Sequence, residues 1–96
     1  MAYLKFKGNN STVPVDKDTF TIGRHGDFKS AYYPANISRL HCALFRNGDT
    51  HSVRDLNSHT GTSVNGTGIG NGERVLQDGD SIQVGNLTIE YSRKGT

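Results

Sequence analysis

The stretch Ser81-Ile82-Gln83-Val84-Gly85-Asn86-Leu87-Thr88-Ile89-Glu90-Tyr91 decides the fold class. Ile82 and Val84, then Leu87, Ile89 and Tyr91, are apolar at every second position on either side of Gly85-Asn86. Side chains alternate faces along a strand, so period two marks a ribbon with one face in a core. Glycine and asparagine between the runs both tolerate the positive φ of a tight turn. The reading is a β-hairpin.

The same grammar extends towards the N-terminus, with turn signals every eight to twelve residues. Glu73 to Leu76 precedes the turn Gln77-Asp78-Gly79-Asp80, and Thr62-Ser63-Val64 stops at Asn65-Gly66. Leu40 to Arg46 and His51 to Asp55 read as partners, with Asn47-Gly48 as the two-residue hairpin signal. Phe20-Thr21-Ile22 alternates before Gly23-Arg24, and Val13 and Val15 flank Pro14. Proline lacks an amide donor, which places that short strand at a sheet edge. Ala2 to Lys7 is the first strand, closed by Gly8-Asn9-Asn10. Many short strands at this spacing predict an all-β fold, a two-sheet antiparallel β-sandwich. Two segments break the periodicity, His25 to Ile37 and Leu56 to Gly61. Both sit at strand ends, where binding loops are found. The expected site lies at one end of the sandwich, built by loops 23–39 and 56–66.

Composition narrows the function classes. With 96 residues the chain makes one domain, 1–96 with its core at about 3–92. Hydrophobic residues are 32%, lean for a core but too regularly patterned for disorder. No run approaches the roughly 20 apolar residues that cross a bilayer. Met1-Ala2-Tyr3-Leu4-Lys5 lacks the apolar core and cleavage site of a signal peptide. The one cysteine, Cys42, has no internal disulfide partner and falls in a predicted strand, as a small buried residue in a reducing compartment does. We therefore expect a cytoplasmic, monomeric domain without membrane contact. A net charge of +2 is too weak to argue for nucleic acid, yet does not repel an anion.

Three motifs join these loops to strands: Gly23-Arg24, then Ser38-Arg39-Leu40-His41, then Ser58-His59-Thr60-Gly61-Thr62 followed by Asn65-Gly66. Together they offer two guanidinium groups, small hydroxyls and loop N–H groups. Arginine presents planar, permanently charged donors that match phosphate oxygens. A phosphorylated threonine carries roughly −1.5 to −2 charges and three strong acceptors. Donors from separate loops can hold such a group with no catalytic residue.

In this order and spacing the motifs resemble the forkhead-associated (FHA) domain family, over about Leu4 to Tyr91. The resemblance implies a phosphothreonine-dependent interaction module of signal transduction, with a phosphothreonine-containing protein or peptide as partner. It implies that Arg24, Ser38 and Arg39 bind the phosphate. It implies that His41 and Asn65, with Gly23 and Gly61, support the loops. The position before the loop glycine, usually Asn in the family, contacts the ligand's main chain; here it is Thr60, after His59. A hydroxyl offers less than a carboxamide's donor and acceptor together. An unmade bond of this kind costs about 0.5–1.5 kcal/mol, so binding is weakened rather than lost. Weaker affinity, a different peptide orientation and help from His59 all remain open. In the family a pocket for the γ-methyl group selects threonine over serine, an effect worth only about 0.8 kcal/mol.

Other readings fit less well. Each motif residue also has an ordinary structural role: Arg39 pairing with Asp27 or Asp55, His41 as a core histidine, Ser58, Thr60 and Thr62 as loop formers. A nucleophilic enzyme would enlist Ser38, His41 and Asp55, but no nucleophile elbow is present. Gly61 to Gly66 starts like a P-loop, but Thr67 stands where Lys is needed. His25, His41, Cys42, His51 and His59 match no zinc spacing, and adjacent His41 and Cys42 should face opposite ways. We expect no metal, no cofactor and no catalysis. Tyr32 and Tyr33 beside Lys29 and Arg39 are a faint version of a single-strand nucleic-acid platform. The main alternative is a phosphate-independent interaction module of the same fold. His25 and Phe28 to Tyr33 are the expected selectors of flanking residues.

Overall fold

A computed structural model describes residues 2–7, 11–24, 26–27, 39–85 and 87–93. Ten strands appear among them: β1 (Ala2–Phe6), β2 (Ser11–Val15), β3 (Thr19–Ile22), β4 (Cys42–Asn47), β5 (Thr50–Asp55), β6 (Thr62–Val64), β7 (Thr67–Gly68), β8 (Glu73–Val75), β9 (Ser81–Val84) and β10 (Leu87–Ser92). They form two sheets, in the orders β2-β1-β10-β9-β6-β7 and β3-β4-β5-β8. Every described pairing is antiparallel. The fold is a two-sheet antiparallel β-sandwich, and β2, with Pro14, lies at a sheet edge.

The period-two pattern becomes the core. In β10, Leu87, Ile89 and Tyr91 are buried and the residues between them only half-buried. The β9–β10 register sets Ile82 beside Ile89 and Val84 beside Leu87, while Leu4 pairs with Tyr91 across β1. Phe20, Ile22, Leu44 and Val53 line the facing sheet. Each such side chain contributes about 1.5–3 kcal/mol on burial. Cys42 belongs to this core with no exposure, and burial pushes its thiol up to about 12.

Local details depart from expectation. β4 begins at Cys42, not Leu40, and Leu40 is exposed. Asn47 still pairs with Thr50, so the two turn residues are Gly48 and Asp49. Gly48 takes a φ of 65° in the first turn position, where a type II′ turn requires glycine. Asn65-Gly66 does not simply end a strand. With φ of 53° and 85° it turns β6 back into β7, and Ser63 pairs with Gly68. The P-loop-like run is thus a type I′ hairpin. His41 and Cys42 are both fully buried, Cys42 in the core and the His41 ring against the Gly61 carbonyl. His41 precedes the first residue of β4, so the pleat does not govern its direction.

Strand polarity decides which connections meet. Because β3, β4 and β5 are consecutive antiparallel neighbours, the end of β3, the start of β4 and the end of β5 share one end of the sandwich. The Gly48-Asp49 turn lies at the other.

Candidate functional site

The loop end is organised around His41. Its backbone N–H donates to the Ile22 carbonyl at 2.7 Å, and its carbonyl accepts from Leu56 N–H at 3.0 Å. Its imidazole Nε2 lies 2.7 Å from the Gly61 carbonyl. A carbonyl only accepts, so Nε2 carries the proton of that bond. One fully buried residue therefore ties together the end of β3, the start of β4 and both ends of loop 56–61.

Gly23 brings the first two motifs into direct backbone contact. A Cβ built there would lie 2.3 Å from the Arg39 carbonyl oxygen and 2.9 Å from His41 N. Only a residue without a side chain allows that approach. Arg24 follows immediately and Arg39 is the residue touched, so the two arginines occupy adjoining backbone, both exposed. Asp27 anchors what comes after Arg24. Its carboxylate accepts from Thr21 N–H and Oγ1 at 3.1 and 3.0 Å and from Lys17 Nζ at 2.7 Å. The Lys17 bond, then the Thr21 amide, hold its carboxyl down at about 2.

Loop 56–61 is braced from within by Ser58 and Thr62, two of the expected loop formers, and by Asp55, which lies outside the motif. Asp55 Oδ2 accepts from Ser58 N–H at 2.9 Å, and Oδ1 accepts from Ser58 Oγ at 2.5 Å and Thr62 Oγ1 at 2.7 Å. Ser58 Oγ in turn accepts from Gly61 N–H at 2.9 Å. Burial pushes the Asp55 carboxyl up, but the Ser58 and Thr62 bonds outweigh it and the net shift is downward. Gly61 adopts a φ of 85° and Asn57 one of 58°. The spacing Asp-x-x-Ser was the available signal, since a carboxylate can meet the amide and hydroxyl three residues on.

The structure thus unites Gly23, Arg24, Arg39, His41, Thr60 and Gly61 at one end, with His59 and Thr60 exposed on the braced loop. Ser38, His25 and Phe28 to Tyr33 lie outside the described residues. Asn65 holds a stretch of chain other than loop 56–61. It sits at the far end of β6, where Oδ1 accepts from Ser81 N–H at 3.0 Å and Nδ2 donates to Asp80 at 2.9 Å. A three-residue strand separates it from loop 56–61, about 10 Å at 3.3 Å per residue. Arg39 does not need Asp27 or Asp55 as a partner to explain them, because both carboxylates are engaged elsewhere. No cluster of three metal-ligating side chains occurs among the described residues.

A family model of the FHA domain matches residues 20–85, from within β3 through β9. The chain belongs to the FHA domain family. It is similar to the oxoglutarate dehydrogenase inhibitor of Corynebacterium jeikeium, 35% identical over 77 residues, covering 80% of this chain and 52% of that protein. It is also similar to the glycogen accumulation regulator GarA of Mycolicibacterium smegmatis, at 30% identity over 80% of this chain and 48% of the relative. The chain spans about half the length of these curated relatives. Among solved structures, EmbR of Mycobacterium tuberculosis in complex with a low affinity phosphopeptide superposes with a TM-score of 0.89 at 26% identity, covering 99% of this chain and 25% of that one. The FhaA FHA domain complexed with the intracellular domain of Rv3910 gives 0.83 at 29% identity, covering 95% and 99%.

Proposed function

We propose that this chain is a phosphothreonine-dependent interaction module that holds phosphorylated segments of partner proteins and performs no chemistry of its own. The observation that carries this reading is the His41 junction, which sets the Arg24 and Arg39 backbones and loop 56–61 at one end of the sandwich. Two guanidinium groups on adjoining backbone suit a dianion, and Ser38 completes the set of donors. Each charge-assisted bond is worth about 1.5–3 kcal/mol. Thr60 and His59 stand where the ligand's main chain would pass. The similar proteins bound to a phosphopeptide and to an intracellular partner domain support the same reading. Against a catalytic triad, His41 Nε2 is committed to the Gly61 carbonyl and Asp55 to Ser58 and Thr62.

Titration with matched phosphothreonine, phosphoserine and unmodified peptides tests it, with chemical shifts read along the backbone. Binding should require the phosphate, favour threonine by no more than a few-fold, and move the amides around 23–24, 39–41 and 58–61. Arg24→Ala should weaken it roughly tenfold to a hundredfold and leave thermal unfolding unchanged. Equal binding of the unmodified peptide would establish a phosphate-independent module instead. We further propose that residues 3–92 fold as a monomeric unit in a reducing, cytoplasmic setting, which the buried, unpaired Cys42 favours. A 3–92 fragment that unfolds without cooperativity, or elutes as a dimer, would refute the first part.

A further inference from the structure

Behind loop 56–61 lies a depression of about 300 Å³, walled by Asn57, Ser58 and Thr60 of the loop, Ser63 of β6, Gly68 of β7 and Asn71 of the following turn. Its floor is Asp55. The turn is fixed by Ile69 N–H donating to Thr62 at 3.0 Å and Gly72 N–H to Ile69 at 3.1 Å, and Ile69 packs on the core. The hollow is therefore a property of the folded sheet edge. A Cβ built on Gly61, Gly68 or Gly70 would meet nothing within 4 Å, so the absence of side chains there keeps the space open.

Its charge is opposite to that of the phosphate cradle. Among the described residues lining it, Asp55 is the only ionised group and no cation is present. Asp55 Oδ1 already accepts two hydrogen bonds and Oδ2 one. Among the described residues, Oδ2 takes one hydrogen bond where a carboxylate oxygen can accept two. The other polar groups are amides and hydroxyls, each able to accept. Such a hollow selects a donor-bearing, positively charged side chain and disfavours a carboxylate.

Resting on the functional reading above, we propose that this hollow is a specificity subsite for a Lys or Arg flanking the phosphothreonine. A bound segment would then span two fields of opposite sign: phosphate on Arg24 and Arg39, and the basic side chain over the loop towards Asp55. A segment reversed about the same phosphate would carry its basic side chain away from Asp55, so the arrangement also sets direction.

The test uses the full chain and phosphothreonine peptides scanned with Lys, Gln or Glu at each flanking position, titrated at low and moderate salt. At one position Lys should bind about threefold to tenfold tighter than Glu, with Gln between, and the spread should shrink with salt. Two variants close or invert the hollow without touching the phosphate residues. Gly68→Val fills it from a strand position with an ordinary φ, and Asn71→Lys sets a cation at its mouth. In both, the Lys–Glu spread should collapse while phosphate dependence persists. Phosphate-dependent binding with no Lys–Glu difference at any position, or with a difference that survives both variants, would overturn the subsite alone. Binding that ignores the phosphate would overturn the functional reading, and the subsite with it.

Discussion

Each end of this sandwich holds a buried histidine, and the two are used differently. His41, at the loop end, is fully buried and joins three segments through its amide, its carbonyl and Nε2. His51, beside the Gly48-Asp49 turn, is 6% exposed and meets the Tyr91 hydroxyl through Nδ1 at 2.7 Å. Its Nε2 is buried with no hydrogen-bond partner among the described residues. Burial, and then the Arg46 charge, lower its pKa. Imidazole at one end is a structural clasp; at the other it is a polar group that the core tolerates only while neutral. Buried polar groups are usually hydrogen-bonded, so the His51 Nε2 is the exception of the two.

The largest expected effect breaks the loop end. His41→Ala removes the clasp on Gly61 and leaves a void, and should cost about 2–4 kcal/mol in urea unfolding. Phosphopeptide affinity should fall with it, because loop 56–61 and the arginine backbones lose their common anchor. Gly23→Ala attacks the same junction from the other side. Its new Cβ would strike the Arg39 carbonyl, backbone that cannot swing aside, at a cost of about 1–3 kcal/mol. Denaturation midpoints and phosphopeptide titrations of the two variants should rank together. A Gly23→Ala chain that binds normally would show that the arginines do not depend on that contact.

The far end should respond to acid. With its folded pKa below the unfolded value of 6.5, His51 binds more protons unfolded than folded. Its contribution is present above about pH 6.5 and is lost as the pH falls towards the folded pKa, with a slope of at most about 1.4 kcal/mol per pH unit. Urea midpoints between pH 7.5 and 5 should show this limb, flattened in His51→Leu. Asp27 follows the same sign lower down, stabilising above about 3.8 and losing that as the pH nears 2. The smallest effect sharpens the contrast. Asn65→Ala should cost about 1 kcal/mol by freeing residues 80 and 81, yet leave phosphopeptide affinity unchanged, since Asn65 lies away from loop 56–61.

Much of this was legible before any coordinates. Ile82 to Tyr91 alternates because one face must be dry, and the same residues are buried in the folded chain. Arg24 and Arg39 stood out because planar cations at loop–strand junctions suit an anion, and Thr60 because the family it resembles usually has Asn there. Less legible was anything set by register. Asn47 looked like a turn residue and proved to be the last paired one, because Gly48 supplies the positive φ that the turn needs. Asn65 looked like a loop support, and which stretch it holds, residues 80 and 81 rather than loop 56–61, is set by the length of β6.

Alternation, turn chemistry and motif order, all local properties, were enough to determine an all-β sandwich with anion-suited residues at its loop–strand junctions. Which groups touch was decided only by the folding of distant segments onto one another. Gly23 meets Arg39, His41 reaches Gly61 across 20 residues, and Asp55 gathers Ser58 and Thr62. Hydrogen bonds act over about 3 Å and leave no periodic trace in a sequence, so only the tertiary structure distinguishes a histidine that clasps from one left half-satisfied.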